Sequence, residues 1–270
     1  MQHCDTLIVP AWCVPVEPHG EVLTDTAVAV TDGRIVAVLP RGDAFARYQA
    51  SVVTERPDHV LVPGLVNAHT HAAMTLLRGL SDDLSLGDWL RQAIWPVERR
   101  WVSAEFVRDG TELAIAEMLQ GGITCFSDQY FFPEIVAQTA ADAGMRAVVG
   151  TPVTGFASAW AKDAAECLLK GSDLVHDRYS GHPLITTCIA PHSTDTLSDA
   201  AFVDLRVLAD QLDLKVQIHL HESVADIERE VKRTGKRPMQ RLTELGLVNA
   251  SLLIVHGIHV TAAEIEQMLD

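Results

Sequence analysis

From about residue 60 onward the chain alternates short apolar segments with helix-like ones, and this alternation restricts the folds open to it. The apolar, β-rich segments lie at residues 61–71, 123–127, 146–150, 184–189, 215–222 and 252–256. Between them stand helix signals: Ser103 and Ser198 are typical N-caps, and Pro133 and Gly144 flank another helix. Repeated strand-then-helix units predict a parallel sheet covered by helices, with a loop region at 80–100.

Polar side chains that can do chemistry collect where these predicted strands end. They are His69, His71, Asp128, His192, His219, Glu222 and His256. The carboxyl ends of the strands are where a (β/α)₈ barrel carries its active site. The predicted fold is therefore α/β, a TIM-type barrel of which about six strand–helix units are recognisable.

His69 and His71 form a His-x-His pair in the first of these segments. Side chains two residues apart on a strand point to the same side, so both imidazoles would enter one space. Histidine nitrogen suits zinc, and hydrolytic metal sites hold the ion with three or four ligands. The pair is therefore a candidate metal site; the alternative is two exposed histidines in a loop.

A second histidine-rich motif, His219-Leu220-His221-Glu222, closes the fifth predicted strand. His219 could be a third ligand, and the Glu222 carboxyl could hold a proton beside the metal. In the alternative, His219 and His221 only line the barrel mouth and Glu222 caps the next helix. Single histidines such as His192 and His256 are ordinary on their own, but their repeated placement at strand ends favours a shared site.

The first 58 residues show a different pattern, of β-strands without helices. Strands are predicted at residues 6–9, 26–30 and 34–38. Asp32-Gly33 between the last two is a strong hairpin signal, and no catalytic cluster is visible here. We therefore divide the chain into a small β domain at 1–58 and a barrel domain at 59–270.

The overall charge excludes two classes of partner. A formal net charge of -15 argues against nucleic acid and against an anionic membrane surface, because both require a basic surface.

No stretch approaches the apolar length that spans a bilayer. The five cysteines are scattered without a CxxC spacing, and the N-terminus lacks the pattern of a signal peptide. The sequence therefore predicts a cytoplasmic protein.

Several motifs together resemble a known family. They are residues 63–71, 74–79 and 82–84, Trp89-Leu90, residues 94–98, Ala190-Pro191-His192, residues 219–223 and residues 255–259. The chain resembles the amidohydrolase superfamily, and most closely its 5′-methylthioadenosine/S-adenosylhomocysteine deaminases. The resemblance covers essentially the whole chain, and it implies an amidohydrolase-type (β/α)₈ barrel with a small N-terminal β-sandwich domain.

The resemblance also implies a metal centre and its chemistry. It implies one divalent metal ion, commonly zinc, on His69, His71 and His219. Glu222 would be the acid/base that transfers protons, and His256 would orient or polarise the attacking water. A metal that acidifies water and a carboxyl that relays the proton are together suited to hydrolysis of a C–N bond.

The substrate implied by the resemblance is an adenosine-type nucleoside, such as 5′-methylthioadenosine, S-adenosylhomocysteine or adenosine. It would lose its 6-amino group as ammonia and become the inosine analogue. Glu98 would bind the ribose, since a carboxylate can accept hydrogen bonds from both hydroxyls of a cis-diol. His192 would line the same pocket, and the family relation suggests a homo-oligomer.

One part of the family pattern is absent. The family has an aspartate at the end of strand eight, and this chain stops before strands seven and eight, so we expect it to be a piece of a longer protein. Two alternatives remain open. The same scaffold could act on another ring, such as guanine, a pterin or a chlorinated triazine, or the chain could be a truncated, non-catalytic homologue.

Overall fold

The structure, a computed structural model, describes residues 1–269 and divides them into two compact units. The first unit runs from Met1 to Gly64, and the second begins at Leu65. Each unit has its own sheet and its own hydrophobic core.

In the described residues the first unit is a five-stranded mixed sheet with one helix. Its elements are β1 (Gln2–Cys13), β2 (Leu23–Thr24), β3 (Thr26–Thr31), β4 (Arg34–Pro40), α1 (Arg41–Arg47) and β5 (Tyr48–Leu61). Strand β1 pairs antiparallel with β2 and β3 and parallel with β5, and β3 pairs antiparallel with β4. Asp32 and Gly33, at φ 50° and 69°, form the predicted hairpin turn. The β-sandwich stays a prediction, since these residues contribute one sheet.

The first predicted barrel strand is wrong at its start. Leu61 ends β5, and the first strand of the second unit, β6, is Leu65–Thr70. Pro63 lies in the break between them, where its lack of an N–H removes a donor that a strand ladder requires. The long strand β5 has no counterpart among the predicted strands, because charged residues such as Glu55 and Arg56 interrupt its apolar pattern.

The second unit is built, over its described residues, on a six-stranded parallel sheet. Its strands are β6, β7 (Ile123–Gln129), β8 (Arg146–Val153), β9 (Ile185–Pro191), β10 (Lys215–Leu220) and β11 (Leu252–His256). Each strand pairs parallel with the next one in the chain, so the order in space follows the order in sequence. This arrangement confirms the predicted parallel α/β fold, and β7 to β11 begin within one residue of the predicted positions.

Helices connect the successive strands of the second unit. The α-helices are α2 (Leu86–Asp88), α3 (Trp95–Trp101), α4 (Ala104–Gln120), α5 (Pro133–Asp142), α6 (Ala164–Lys170), α7 (Asp177–Tyr179), α8 (Asp199–Leu212), α9 (Val224–Thr234), α10 (Pro238–Glu244) and α11 (Ala262–Gln267). The tighter or wider helical turns are Ala72–Leu77 and Thr194–Thr196, both 3₁₀, and Trp89–Ile94 and Gly171–His176, both π. The hydroxyls of Ser103 and Ser198 cap α4 and α8 as predicted. Within residues 1–269, no helix is both long and apolar enough to cross a membrane.

The predicted loop at 80–100 is wrong, because most of it is helical. Helix α2, the π turn and α3 follow one another from Leu86 to Trp101. Pro96 stands in the first turn of α3, where a missing N–H leaves no helical hydrogen bond unmade. The π turn before it is closed by the Trp95 N–H, which donates to the carbonyl oxygen of Leu90.

Helix α4 lies against the segment that carries the His-x-His pair, and Gly110 allows the close approach. A Cβ on Gly110 would lie 2.4 Å from the carbonyl oxygen of Ala73, two residues after His71. Only glycine fits at such a separation. The packing of α4 therefore holds the 3₁₀ turn at Ala72–Leu77 in place beside the end of β6.

Candidate metal centre and active site

Three histidines from β6, its end and β10 converge on one point. Potential ligand atoms of His69, His71 and His219 all lie within 4.8 Å of one another. The Nε2 atoms of His69 and His219 are 3.2 Å apart, and the two rings meet edge to face. The two residues of the first predicted pair and the third predicted ligand are thus brought together by the parallel sheet.

Backbone carbonyl groups fix the orientation of two of these rings. The Nδ1 atom of His71 lies 2.6 Å from the carbonyl oxygen of Gln129, and the Nδ1 atom of His219 lies 2.7 Å from that of His192. Each Nδ1 must carry the hydrogen to donate to a carbonyl, so each Nε2 keeps a lone pair. This is how metal-binding histidines are commonly oriented in proteins.

The electrostatic setting keeps these imidazoles neutral. Burial, with the neighbouring histidines, lowers the pKa of His69 and of His71 to about 4, although the bond to Gln129 opposes the shift at His71. Burial and the other histidines lower the pKa of His219 to about 2. Neutral rings near pH 7 are the form that binds a metal ion.

The donor set fits a divalent metal ion such as zinc. Two nitrogens bound tetrahedrally to zinc at about 2.0–2.1 Å would stand roughly 3.3 Å apart, close to the separation of the His69 and His219 Nε2 atoms. Three neutral imidazoles, two of them oriented through their outer nitrogens, leave further positions open to water, as hydrolytic zinc sites require.

Glu222 and His256 form a pair next to this cluster. The Nε2 atom of His256 lies 3.5 Å from Oε1 of Glu222, and the His256 ring stacks on that of His219 with centroids 5.3 Å apart. Burial raises the pKa of Glu222, while His256 opposes the shift. A half-buried carboxyl with a raised pKa can both take up and release a proton near neutral pH. The alternative role for Glu222 is wrong, since Ser223 caps α9.

Glu98 approaches the site through Tyr130. The Tyr130 hydroxyl donates a 2.7 Å hydrogen bond to Oε1 of Glu98, and the Tyr130 ring packs 6.2 Å from that of His71. Burial raises the pKa of Glu98, and the hydrogen bond from Tyr130 opposes this. Sequence reasoning did not single out Tyr130; its position directly after β7, beside the strand-end Asp128, was the available signal.

His192 lies at the end of β9 against His219. The two ring centroids are 5.4 Å apart, and the ring of Phe156 is on another side of His192 at 6.4 Å. The Nδ1 atom of His192 is 3.2 Å from the Ser193 hydroxyl. The carbonyl of His192 therefore orients His219, and its ring packs against the cluster.

Asp128 supports the His-x-His segment from behind. Its Oδ1 accepts hydrogen bonds from the Thr70 hydroxyl at 2.9 Å and from the Ala72 N–H at 2.6 Å. It therefore binds the residues on both sides of His71. The carboxyl is 1% exposed, and burial raises its pKa to about 6.

His221 does not join the cluster. Strand β10 ends at Leu220, and His221 adopts a left-handed conformation with φ 55°, which breaks the strand alternation. Its buried ring lies instead near Arg237 and Glu264, with Nε2 3.4 Å from Oε1 of Glu264. Arg237 in turn donates to both oxygens of Glu264.

A cavity of 380 Å³ opens beside His71. Its wall combines apolar and polar side chains, among them Met74, Leu77, Asp82 and Trp89. The indole of Trp95, by contrast, is 37% exposed and is not part of this wall. An organic molecule that reached the histidine cluster would have room here.

Comparison with protein families places the second unit in a known group. The model of the family described as "Amidohydrolase family" matches residues 60–269. The 5-methylthioadenosine/S-adenosylhomocysteine deaminase of Teredinibacter turnerae is 43% identical over 258 residues, which are 96% of this chain and 58% of that protein. The chain thus spans less than two thirds of the length of this relative.

Solved structures of other proteins superimpose on almost the whole of this chain. A crystal structure of an adenosine deaminase from Xanthomonas campestris with bound zinc superimposes with a TM-score of 0.96 at 49% identity, covering 98% of this chain and 60% of that one. A zinc complex of atrazine chlorohydrolase from Arthrobacter aurescens superimposes with a TM-score of 0.87, covering 97% of this chain and 63% of that one. At 18% identity, the second match shows the shared fold alone.

Proposed function

This chain belongs to the amidohydrolase family, and from that premise we propose that its protein is a metal-dependent deaminase of adenosine-type nucleosides. It would convert 5′-methylthioadenosine, S-adenosylhomocysteine or adenosine to the inosine analogue and ammonia. The observation that carries the proposal is the convergence of three histidines beside a glutamate–histidine pair. Identities of 43% and 49% to proteins named as deaminases of such nucleosides support the choice of substrate.

His69, His71 and His219 would hold one divalent metal ion, and we propose zinc. Imidazole donors suit zinc, and the adenosine deaminase from Xanthomonas campestris was crystallised with it. When bound, such an ion lowers the pKa of a water molecule toward neutrality and so supplies a nucleophile for hydrolysis. The carbonyls of Gln129 and His192 would keep two of the ligands in the binding orientation.

Glu222 would move the protons of the reaction. Deamination would move one proton from the attacking water to a purine ring nitrogen and the second from the newly added hydroxyl to the departing amine, and a carboxyl with a raised pKa can carry both in turn. His256, which lies 3.5 Å from Glu222 and stacks on His219, would orient the attacking water.

Glu98 and His192 would bind the nucleoside. The Glu98 carboxylate, tethered by Tyr130 near His71, could accept hydrogen bonds from both ribose hydroxyls. His192 would border the purine from the β9 side of the site. We propose a small-molecule nucleoside as the substrate, whereas the homo-oligomer and the cytoplasmic location stay predictions.

Turnover of candidate substrates by the zinc-loaded, full-length protein tests the proposal. We expect loss of the adenine absorbance with 5′-methylthioadenosine or S-adenosylhomocysteine, accompanied by release of ammonia. Guanine, a pterin and a chlorinated triazine should be run in parallel, because the same scaffold could act on these rings. Turnover of one of these rings alone would mean that it, and not an adenosine-type nucleoside, is the substrate. Zinc binding without any turnover would favour a non-catalytic homologue.

A further inference from the structure

We propose that Gln129 is a positioning residue that sets the affinity of the histidine cluster for its metal ion. The inference rests on the proposed metal site and adds a residue that is not one of the three candidate ligands. Two backbone carbonyls orient the ligands, and Gln129 connects them. One of these carbonyls is its own, and its side chain bonds the two residues directly before the other.

The main-chain contact is with His71. The carbonyl oxygen of Gln129, the last residue of β7, lies 2.6 Å from Nδ1 of His71. Any displacement of this carbonyl would turn the His71 ring and redirect its Nε2.

The side-chain contacts reach β9. The Nε2 group of Gln129 donates to the carbonyl oxygens of Ala190, at 3.2 Å, and Pro191, at 3.1 Å. The next residue in the chain is His192, whose carbonyl accepts the hydrogen bond from His219. One buried side chain thus ties the carbonyl that orients His71 to the strand end that orients His219.

Strand β8 lies between β7 and β9, so the Gln129 side chain must cross it. Gly150 is the β8 residue paired with Gln129, and a Cβ there would lie 2.7 Å from the Ala190 side chain. The absence of a side chain at Gly150 keeps β8 close to Ala190, where the Gln129 amide bonds.

A polar network holds the Gln129 amide in its orientation. Its Oε1 lies 3.5 Å from Nε2 of Gln217, and Oε1 of Gln217 accepts a 2.6 Å hydrogen bond from the Ser127 hydroxyl. Gln129 and Gln217 are both almost fully buried. A buried amide with its donors satisfied has little freedom to rotate, so the link between the two strand ends is stiff.

The experiment measures zinc affinity in the full-length protein by competition with a chromophoric chelator, for wild type and Gln129→Met. Methionine has a similar length but no amide group, so the substitution removes the two hydrogen bonds that Gln129 donates. We expect zinc to bind about 10- to 100-fold more weakly, as found when supporting residues of other metal sites are altered. The visible spectrum of the cobalt-substituted protein should also change, because the ligand geometry changes.

Thr139→Val is the matched control. It removes a hydrogen bond of similar burial, from the Thr139 hydroxyl to the Ile135 carbonyl within α5, and leaves the contacts of Gln129 in place, so zinc affinity and the cobalt spectrum should be unchanged. Wild-type zinc affinity and an unaltered cobalt spectrum in Gln129→Met would overturn the assignment and leave the metal site standing. A wild-type protein that binds no zinc would overturn the metal site and the role of Gln129 with it.

Discussion

The Nε2 atoms of His69 and His219 lie 3.2 Å apart although 150 positions of sequence separate the two residues. Two ring nitrogens this close, each with a lone pair, repel one another unless a proton or a cation lies between them. We expect His219→Ala to abolish stoichiometric zinc binding, measured by elemental analysis of the purified protein. His59→Ala, at an exposed position in β5, should retain the wild-type zinc content. Full zinc content in His219→Ala would show that the ion binds elsewhere.

Asp128 should make stability depend on pH in an unusual direction. Its pKa of about 6 in the folded protein lies above the ordinary 3.8, so the folded state binds more protons than the unfolded state between these values. This group therefore stabilises the fold less as pH rises from 4 to 6. In Asp128→Asn, which keeps an acceptor for Thr70 and Ala72, the free energy of unfolding relative to wild type should increase over that range by up to about 3 kcal/mol. Denaturant unfolding at several pH values measures it, and parallel curves for both proteins would contradict the shift.

Gly110→Ala should destabilise the second unit and disturb the His-x-His segment. The added methyl would lie 2.4 Å from the Ala73 carbonyl oxygen, and overpacking of this kind costs about 1–3 kcal/mol. Thermal unfolding gives the loss, and zinc affinity reports on His71. Gly42→Ala is the control: it lies in helix α1 with open space around it, so the same substitution should leave the protein equally or more stable.

The buried pair of Arg241 and Glu230 gives a third test of stability. Their side chains are 4% and 0% exposed, with Nη1 and Oε1 2.9 Å apart, and Arg241 also donates to the carbonyl of Leu197. Arg241→Met would leave Glu230 paired with Arg233 alone and would remove donors to the Thr194 and Leu197 carbonyls, so it should cost about 1–3 kcal/mol. Adding Glu230→Met should restore much of the loss, as a double-mutant cycle would reveal. Arg41→Met, in an exposed pair with Glu55, should change little.

Tyr130→Phe tests the link between Glu98 and the proposed nucleoside. The substitution keeps the ring against His71 and removes the hydroxyl that holds Glu98. If Glu98 binds the ribose, KM should rise several-fold while kcat stays near wild type, because Glu222 is untouched. Steady-state kinetics with 5′-methylthioadenosine measures both, and an unchanged KM would remove Tyr130 from substrate binding.

Much of this architecture follows from local patterns. The strand–helix alternation predicts β7 to β11, and the strand-end rule places His69, His71 and His219 on one side of the sheet. The alternation of side chains along a strand would also place the His221 ring on the same side as that of His219. It does not apply there, because His221 adopts a left-handed conformation directly after β10. His71 is also the first residue beyond its strand, but its φ of -119° stays close to that of a strand, so its ring remains on the side of His69.

Other parts of the site depend on contacts distant in sequence. The carbonyl of Gln129 orients His71 from 58 positions away, and no feature of either residue type announces that bond. Pro96 obscures the helical segment 86–101 in the sequence, since a proline inside a helical pattern usually ends it, whereas here Pro96 stands in the first turn of α3. Strand β5 lacked an apolar alternation, so its pairing with β1 was not visible in either segment alone.

The separation between His69 and His219 also has a consequence during synthesis. Ribosomes add roughly 5–20 residues per second, so the nascent chain carries the His-x-His pair for about 8–30 s before its third histidine exists. Throughout that interval the pair is an incomplete chelate on an unfinished sheet. The three-histidine site that we propose can therefore bind its ion only after β10 has been synthesised, so the ion cannot guide the synthesis or pairing of the strands before that point.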